Sequence, residues 1–255
     1  MVHNKYVAVV LPAYNAAKTL QVTYAEIPHD IVDEIILVDD ASTDTTVSIA
    51  RSLNIKTIVH ARNTGYGGNQ KTCYAAALES RADIIIMLHP DYQYTPKLIG
   101  AMAYLLESKE FDMVLGSRIL GGKAIKGGMP IYKYISNRVL TLLQNMIMGA
   151  KLSEYHTGYR AYTRNVLQSI PWSNNSDDFV FDNQLLSQAL YLDFRIGEIT
   201  CPAKYFREAS SINLTRSVKY GFGCLFTAIQ FRLSKWNLLT SRIFTFKGTL
   251  SNLTL

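Results

Sequence analysis

The chain has little of what a disulfide-built, membrane-spanning or dinucleotide-binding protein requires. Its 3 cysteines, Cys73, Cys201 and Cys224, are odd in number, far apart and without metal-site spacing, so they read as reduced thiols. The longest apolar runs, around Val7–Leu11 and Ile84–Leu88, fall far short of the ~20 residues a bilayer span needs. No signal-peptide core opens the sequence, so the protein is expected to begin in the cytosol. Internal repeats, low-complexity tracts and clear linkers are missing as well. The first strand-to-helix turn, Pro12-Ala13-Tyr14-Asn15, has no glycine, whereas a dinucleotide fold needs Gly-x-Gly-x-x-Gly there for the pyrophosphate to approach the helix. Acid is scarce toward the C-terminus: from Cys201 onward there are eight basic residues against the single acid Glu208, while the rest of the chain is nearly neutral. Such a tail suits an anionic partner, phosphate groups or a membrane surface. Nucleic acid is not expected, because no recognised binding motif accompanies the charge.

What is present is a chain of 255 residues, 48% hydrophobic and 18% charged, able to bury a large core. Apolar, β-rich runs at Tyr6–Leu11, Glu34–Val38, Lys56–His60, Ile84–Leu88 and Asp112–Leu115 alternate with helical patterns at Ala16–Ile27, Thr45–Leu53, Gln70–Ser80 and Pro96–Ser108. That alternation specifies an α/β fold with a right-handed, mostly parallel, doubly wound sheet. Gly121-Gly122 and Gly127-Gly128 then frame a segment, Leu120–Met129, expected to be a mobile loop. A long helix from Pro130 to about Met148, another entered from Asp177–Asp182, and a late strand, Ile196–Tyr205, complete the main body.

The stretch Ala82–Gln93, ADIIIMLHPDYQ, organises the rest. Its apolar run fits a strand buried on both faces, and it stops at His89-Pro90-Asp91-Tyr92-Gln93, where Pro90 forbids further ladder pairing. His89, Asp91 and Gln93 alternate, so an extended segment can point all three one way. Open α/β sheets place ligands at the carboxyl ends of their strands, and Asn15, Asp39, Asp40, Asp91 and Gln93 all fall there. Acids so gathered have two plausible tasks: accepting hydrogen bonds from a ribose or base, and holding a hard divalent cation that bridges phosphates.

The combination VVLPAYNAA, LVDDASTDTT, RNTGYGGN, HPDYQY and LGSR resembles the family 2 glycosyltransferases of GT-A fold. EYHTGYRAY and FREASSIN resemble the branch that includes dolichol-phosphate mannosyltransferase and polyprenyl-phosphate glycosyltransferases, and the likeness covers roughly residues 5–213. It implies a GT-A domain over 1–213, with 214–255 a basic amphipathic helix and tail packed on it. It also implies that Pro12, Tyr14, Asn15, Asp39, Asp40 and the Arg62–Gly68 turn (Asn63, Gly65, Gly67, Gly68) hold the nucleotide. Asp91 would be the principal ligand of Mg²⁺ or Mn²⁺, with Gln93 assisting, and His89 either ligates a metal such as Mn²⁺ or hydrogen-bonds beside it. Arg118, Asn137, Arg138, Arg160 and Arg207 would face the acceptor phosphate or the donor diphosphate, since a guanidinium can engage two phosphate oxygens at once. The sequence departs from the family pattern at His89, where an acid is usual, at Glu154 for aspartate, and at His156-Thr157-Gly158 for Thr-Ser-Gly. It also lacks a lysine near Asn213.

The activity so implied is inverting transfer of a sugar from a nucleotide-diphosphate donor to a polyprenyl phosphate at the cytosolic membrane face. A saccharide hydroxyl is the alternative acceptor and would need a base, for which Glu154, Asp178 and Asp182 are candidates. A non-catalytic nucleotide-sugar-binding scaffold is the third reading. The final helix, Ser217–Leu239, carries apolar residues at Val218, Phe222, Leu225, Phe226, Ile229, Leu233 and Trp236, one continuous face. That face either packs on the protein, the favoured expectation, or lies in a bilayer interface beside the basic residues.

Overall fold

The computed structural model describes residues 2–202, 205 and 214–246. Among them, seven strands form one sheet: β1 (Val7–Ala13), β2 (Glu34–Asp39), β3 (Lys56–Val59), β4 (Ile84–Met87), β5 (Met113–Ser117), β6 (Arg160–Thr163) and β7 (Ile196–Thr200). The order is β3-β2-β1-β4-β6-β5-β7, parallel throughout except that β6 runs antiparallel to both β4 and β5. The helices are α1 (Leu20–Ala25), α2 (Thr46–Ser52), α3 (Tyr66–Glu79), α4 (Ile99–Glu107), α5 (Ile131–Met148), α6 (Arg164–Ser169), α7 (Phe181–Tyr191) and α8 (Leu214–Lys235).

Alternation along the strands divides the core into two layers. Ala8, Val10, Ile36, Val38, Ile85, Met87 and Leu115 face one side, where Cys73, Tyr74 and Ala77 of α3, Leu185 and Ala189 of α7, and Ala228 and Phe231 of α8 cover them. Val7, Val9, Leu11, Leu37, Ile84, Ile86 and Val114 face the other, against Leu20, Ala50, Ile99, Met102 and Ala103. Each of the Val, Leu, Ile, Met and Phe side chains among them, fully buried, contributes about 1.5–3 kcal/mol of transfer free energy, and the alanines less. Because β1 and β4 are buried on both faces, their sequences read as unbroken apolar runs rather than alternating ones.

Three expectations change. The late strand ends at Thr200, where its pairing with Ser117 ends, rather than reaching Tyr205. The glycine-framed segment 120–129 is not open loop throughout: Ala124 and Met129 join Ile119, Tyr134 and Tyr205 in a small apolar cluster, tied by Met129 N donating to Ala124 O at 3.1 Å, while most of its other residues are exposed. The apolar stripe of α8 does not pack inward. Its buried face is Gly221, Cys224, Thr227, Ala228, Phe231 and Ser234, whose small members let α8 approach α5 and α7 closely, while Val218, Phe222, Phe226, Ile229 and Trp236 are exposed.

Candidate active site at the carboxyl edge of the sheet

The loop leaving β4 is held in a strained turn. Tyr92 has φ 57°, an uncommon left-handed conformation for an aromatic residue, and its hydroxyl is anchored on Glu26 Oε1 at 2.7 Å. Asp91 Oδ1 accepts the Gln93 backbone N–H at 3.0 Å, and the Pro90 carbonyl accepts from Thr23 Oγ1 at 3.3 Å. The turn presents His89, Asp91 and Gln93 to a cavity of about 760 Å³, bounded on its other sides by α5 and α8.

The reversal of β6 completes this edge. Met87 is registered with Arg160 across the antiparallel pair, so the residues preceding β6, His156 and Gly158, arrive beside the tip of β4 and also line the cavity. Arg118, just past β5, reaches the same place. Its guanidinium is paired with Glu154 and donates to the His156 carbonyl at 2.8 Å and the Tyr205 hydroxyl at 3.1 Å. Glu154 is fully buried, accepting also from Asn137 Nδ2 at 2.8 Å and Arg118 N at 2.8 Å. Burial raises its pKa, but the Arg118 charge and hydrogen bonds outweigh that and hold the carboxyl below its usual range. Glu154 is therefore a clamp on Arg118, not the accessible base expected for a hydroxyl acceptor. Asn137 lines the cavity with its amide committed to the same clamp.

Two arginines expected to face phosphate do not. Arg160 is wholly buried, giving its N–H groups to the Thr157, Asp182 and Tyr155 carbonyls, so it braces the backbone that enters β6. Arg138 is exposed outside the cavity, donating to the Ser153 carbonyl at 2.9 Å. Arg207 lies outside the described residues. The cavity instead has Lys133 of α5 and Arg216 of α8. Burial first, and then the neighbouring Arg118 charge, lower the Lys133 pKa.

The residues expected to hold the nucleotide form a separate rim at the tips of β1, β2 and β3, outside the cavity lining. Tyr14, Asn15 and Asn63 are exposed there, whereas Pro12 is buried in β1 opposite Val38. Asp40 is 3% exposed and saturated by its own chain: Oδ1 contacts Thr64 N at 2.8 Å, Thr64 Oγ1 at 2.8 Å and His60 Nδ1 at 2.8 Å, and Oδ2 accepts from Gly65 N at 3.1 Å. It straps β2 to the turn before α3 rather than presenting an acceptor. Asp39 is fully buried, its Oδ2 accepting the Ser42 N–H at 2.9 Å.

The glycine turn is likewise occupied from within. The Gly67 and Gly68 amides donate to the Asp177 carbonyl, at 2.7 and 3.3 Å, so this carbonyl caps α3 in the turn expected to hold the nucleotide. A Cβ at Gly67 would collide with the Ser176 carbonyl and Phe181 Cβ, and one at Gly65, with φ 88°, would lie 2.7 Å from the Asp177 oxygen. The close approach these glycines permit is to another stretch of the protein.

Lys133, Arg216 and Tyr66 are among the cavity residues that the sequence reading of the site does not single out. Lys133 and Arg216 sit on helices whose sequence carries no fixed motif, and Tyr66 lies between Gly65 and Gly67, in a turn that its glycines identify. Tyr66 donates its hydroxyl to Asp182 Oδ2 at 2.6 Å and meets His89 Nε2 at 3.1 Å, its ring stacked on the imidazole. Burial and the Asp182 carboxylate push its pKa well up, keeping the hydroxyl protonated. His156 is held neutral: burial, opposed by Glu154 and aided by Arg118, pushes its pKa down to about 4.

A divalent cation fits this donor set only in part. No three His, Cys, Asp or Glu side chains gather into a cage among the described residues. The imidazole, carboxylate and carboxamide of one short loop suit a cation that completes its shell with diphosphate oxygens and water.

A mostly parallel seven-strand sheet with an acid-bearing central strand tip and a cleft at its carboxyl edge defines a GT-A glycosyltransferase fold. The chain belongs to glycosyl transferase family 2, whose profile matches residues 8–170. It is 25% identical over 249 residues to the UDP-N-acetylglucosamine–dolichyl-phosphate N-acetylglucosaminyltransferase of Methanococcus voltae, covering 91% of this chain and 98% of that one. It is 28% identical over 202 residues to the dolichyl-phosphate hexose transferase of Haloferax volcanii, covering 76% and 81%. The structure of glucosyl-3-phosphoglycerate synthase from Mycobacterium tuberculosis with uridine diphosphate shares the fold, with TM-score 0.69 at 20% identity over 93% of this chain and 82% of that one. A second structure of that synthase contains Mn²⁺, uridine diphosphate and glucosyl-3-phosphoglycerate.

Proposed function

We propose that this protein transfers a sugar from a nucleotide diphosphate to a polyprenyl phosphate, inverting the anomeric centre in a single displacement. The observation that carries this reading is the composition of the cavity. Three kinds of group line it: His89, Asp91 and Gln93 of the β4 loop, the cations Arg118, Lys133 and Arg216, and apolar side chains of α5 and α8, namely Ile135, Val139, Val218, Phe222 and Leu225. Diphosphate, acceptor phosphate and hydrocarbon each find matching chemistry in that lining. The relatives named as dolichyl-phosphate transferases support the same acceptor class.

Tyr14, Asn15 and Asn63 would orient the nucleoside at the rim, and the β4 loop would fix the diphosphate. A divalent cation bound by Asp91, Gln93 and His89 would neutralise the departing nucleoside diphosphate. Lys133 and Arg216 would hold the acceptor phosphate, which is ionised at neutral pH and so attacks without a protein base. The site agrees with that economy: Glu154 is locked to Arg118, Asp178 is exposed outside the cavity, and Asp182 is nearly buried and engaged by Tyr66.

The apolar stripes continue from the cavity wall onto the surface as Ile131, Ile135, Val139, Leu142 and Met146 of α5 and Val218, Phe222 and Phe226 of α8. No helix among the described residues is long and apolar enough to cross a membrane. These two helices would instead lie along a bilayer surface and receive the lipid from it.

Labelled nucleotide sugars supplied with Mn²⁺ or Mg²⁺ and either a polyprenyl phosphate or a saccharide acceptor test the reading. Label should pass to the lipid phosphate, and Asp91→Ala should abolish it. Transfer to saccharide alone, or none to any acceptor, overturns the proposal.

A further inference from the structure

His89 stands where the family resemblance places an acid, and its neighbours determine which nitrogen is available. The Tyr66 hydroxyl has one proton, and this goes to Asp182 Oδ2 at 2.6 Å. Toward His89 Nε2, 3.1 Å away, the Tyr66 oxygen can then only accept. The network thus puts the imidazole proton on Nε2 and leaves the lone pair on Nδ1, which has no hydrogen-bond partner among the described residues.

The ring is also clamped in place. It stacks on Tyr66 with centroids 5.4 Å apart, and Gly158 makes room for it: a Cβ there would lie 2.7 Å from His89 Nε2 and 3.2 Å from the Tyr66 hydroxyl oxygen. Behind Tyr66, Asp182 is 5% exposed and its Oδ1 has no partner. A buried carboxylate so placed has a physical task in holding one orientation of the tyrosine proton.

We propose that Asp182, acting through Tyr66, fixes His89 as a nitrogen donor beside Asp91, so that this chain's cation site is a mixed nitrogen and oxygen site that prefers Mn²⁺ to Mg²⁺. The inference rests on the reading that the β4 tip binds a diphosphate-bridging cation. Mg²⁺ favours an all-oxygen shell, whereas imidazole suits transition metals. Tyr66 and Asp182, though they line the cavity, are assigned as positioning residues that act by presenting the lone pair of His89.

The test uses the full chain with Mn²⁺ and uridine diphosphate, read by pulsed electron paramagnetic resonance for nitrogen hyperfine coupling to bound Mn²⁺. The unsubstituted protein should show the coupling. His89→Asp should lose it and bind Mn²⁺ and Mg²⁺ about equally. Tyr66→Phe and Asp182→Asn should weaken Mn²⁺ binding by about 10- to 100-fold, with Mg²⁺ binding, measured by competition, changing less. Absence of Mn²⁺ binding, absence of nitrogen coupling in the unsubstituted protein, or unchanged Mn²⁺ affinity in both positioning variants overturns the proposal. Coupling without sugar transfer sinks the functional reading and supports this one, whereas transfer without coupling sinks this one alone.

Discussion

Glu154 and Arg118 form a buried ion pair in which neither partner can be removed alone without cost. Glu154→Gln leaves the guanidinium buried beside a neutral amide, and breaking such a pair costs on the order of 3 kcal/mol. The urea midpoint at neutral pH should fall accordingly. Because the folded carboxyl titrates below its usual range, the pair's contribution is complete above about pH 4.3 and is lost as pH falls through the lower folded value. The two proteins should therefore converge in strong acid, and equal midpoints at neutral pH would refute the clamp. His156 gives a separate window. With its folded pKa pushed down to about 4, the unfolded chain takes up a proton first as pH drops below about 6.5, so stability declines between those values by on the order of 2 kcal/mol. His156→Gln should flatten that decline in unfolding curves at pH 7 and pH 5, whatever it does to absolute stability. The motif identified Glu154, but its role depends on burial and on which side chain faces it, and neither is encoded within a few residues of the position. Arg160 is the same case: an arginine next to a strand reads as a phosphate ligand until its backbone partners are seen.

At the scale of elements, the long periodic helices and all-apolar strands were legible because one local pattern determined each of them. β6 was not. Its four residues, Arg160-Ala161-Tyr162-Thr163, contain no apolar run or clear alternation, and its place between β4 and β5 comes from long-range pairing that reverses the expected direction. Yet that strand brings His156 and Gly158 to the site. For α8 the periodicity was right and the orientation was not, since small residues pack a helix as well as large ones. Phe222, 70% exposed, and Phe226 can be replaced together by serine with little loss of stability, within about 0.5 kcal/mol per surface site. The same double variant should sediment less with anionic vesicles, and undiminished sedimentation would remove α8 from the membrane-facing surface. Gly67→Ala makes the opposite expectation at the start of α3: its methyl group meets the Ser176 carbonyl, so the urea midpoint should fall even though alanine is the better helix former.

For the whole molecule, the sheet edge joins two regions that the sequence placed together and the structure sets side by side: an exposed rim with Tyr14, Asn15 and Asn63, and a cavity holding His89, Asp91 and Gln93. Sequence order indicates that both lie at carboxyl ends of strands, but cannot say that Asp40 and the glycine turn are already filled by the chain itself. Under the proposed function a nucleoside diphosphate spans rim and cavity and binds the folded state alone, and such a ligand would raise the unfolding temperature by mass action. At a concentration a hundred times its dissociation constant the gain is about 2.7 kcal/mol, or roughly 5–10 °C for a domain of this size. Uridine diphosphate with Mn²⁺ should produce such a shift, and either component alone much less, because the loop donors and the phosphate oxygens each supply only part of the cation's shell. Asp91→Ala should lower the melting temperature of the free protein by what its hydrogen bond to the Gln93 N–H contributes, while losing the joint increment. A joint increment that survives Asp91→Ala would place the cation elsewhere on the molecule, and the chemistry assigned to the tip of β4 would go with it.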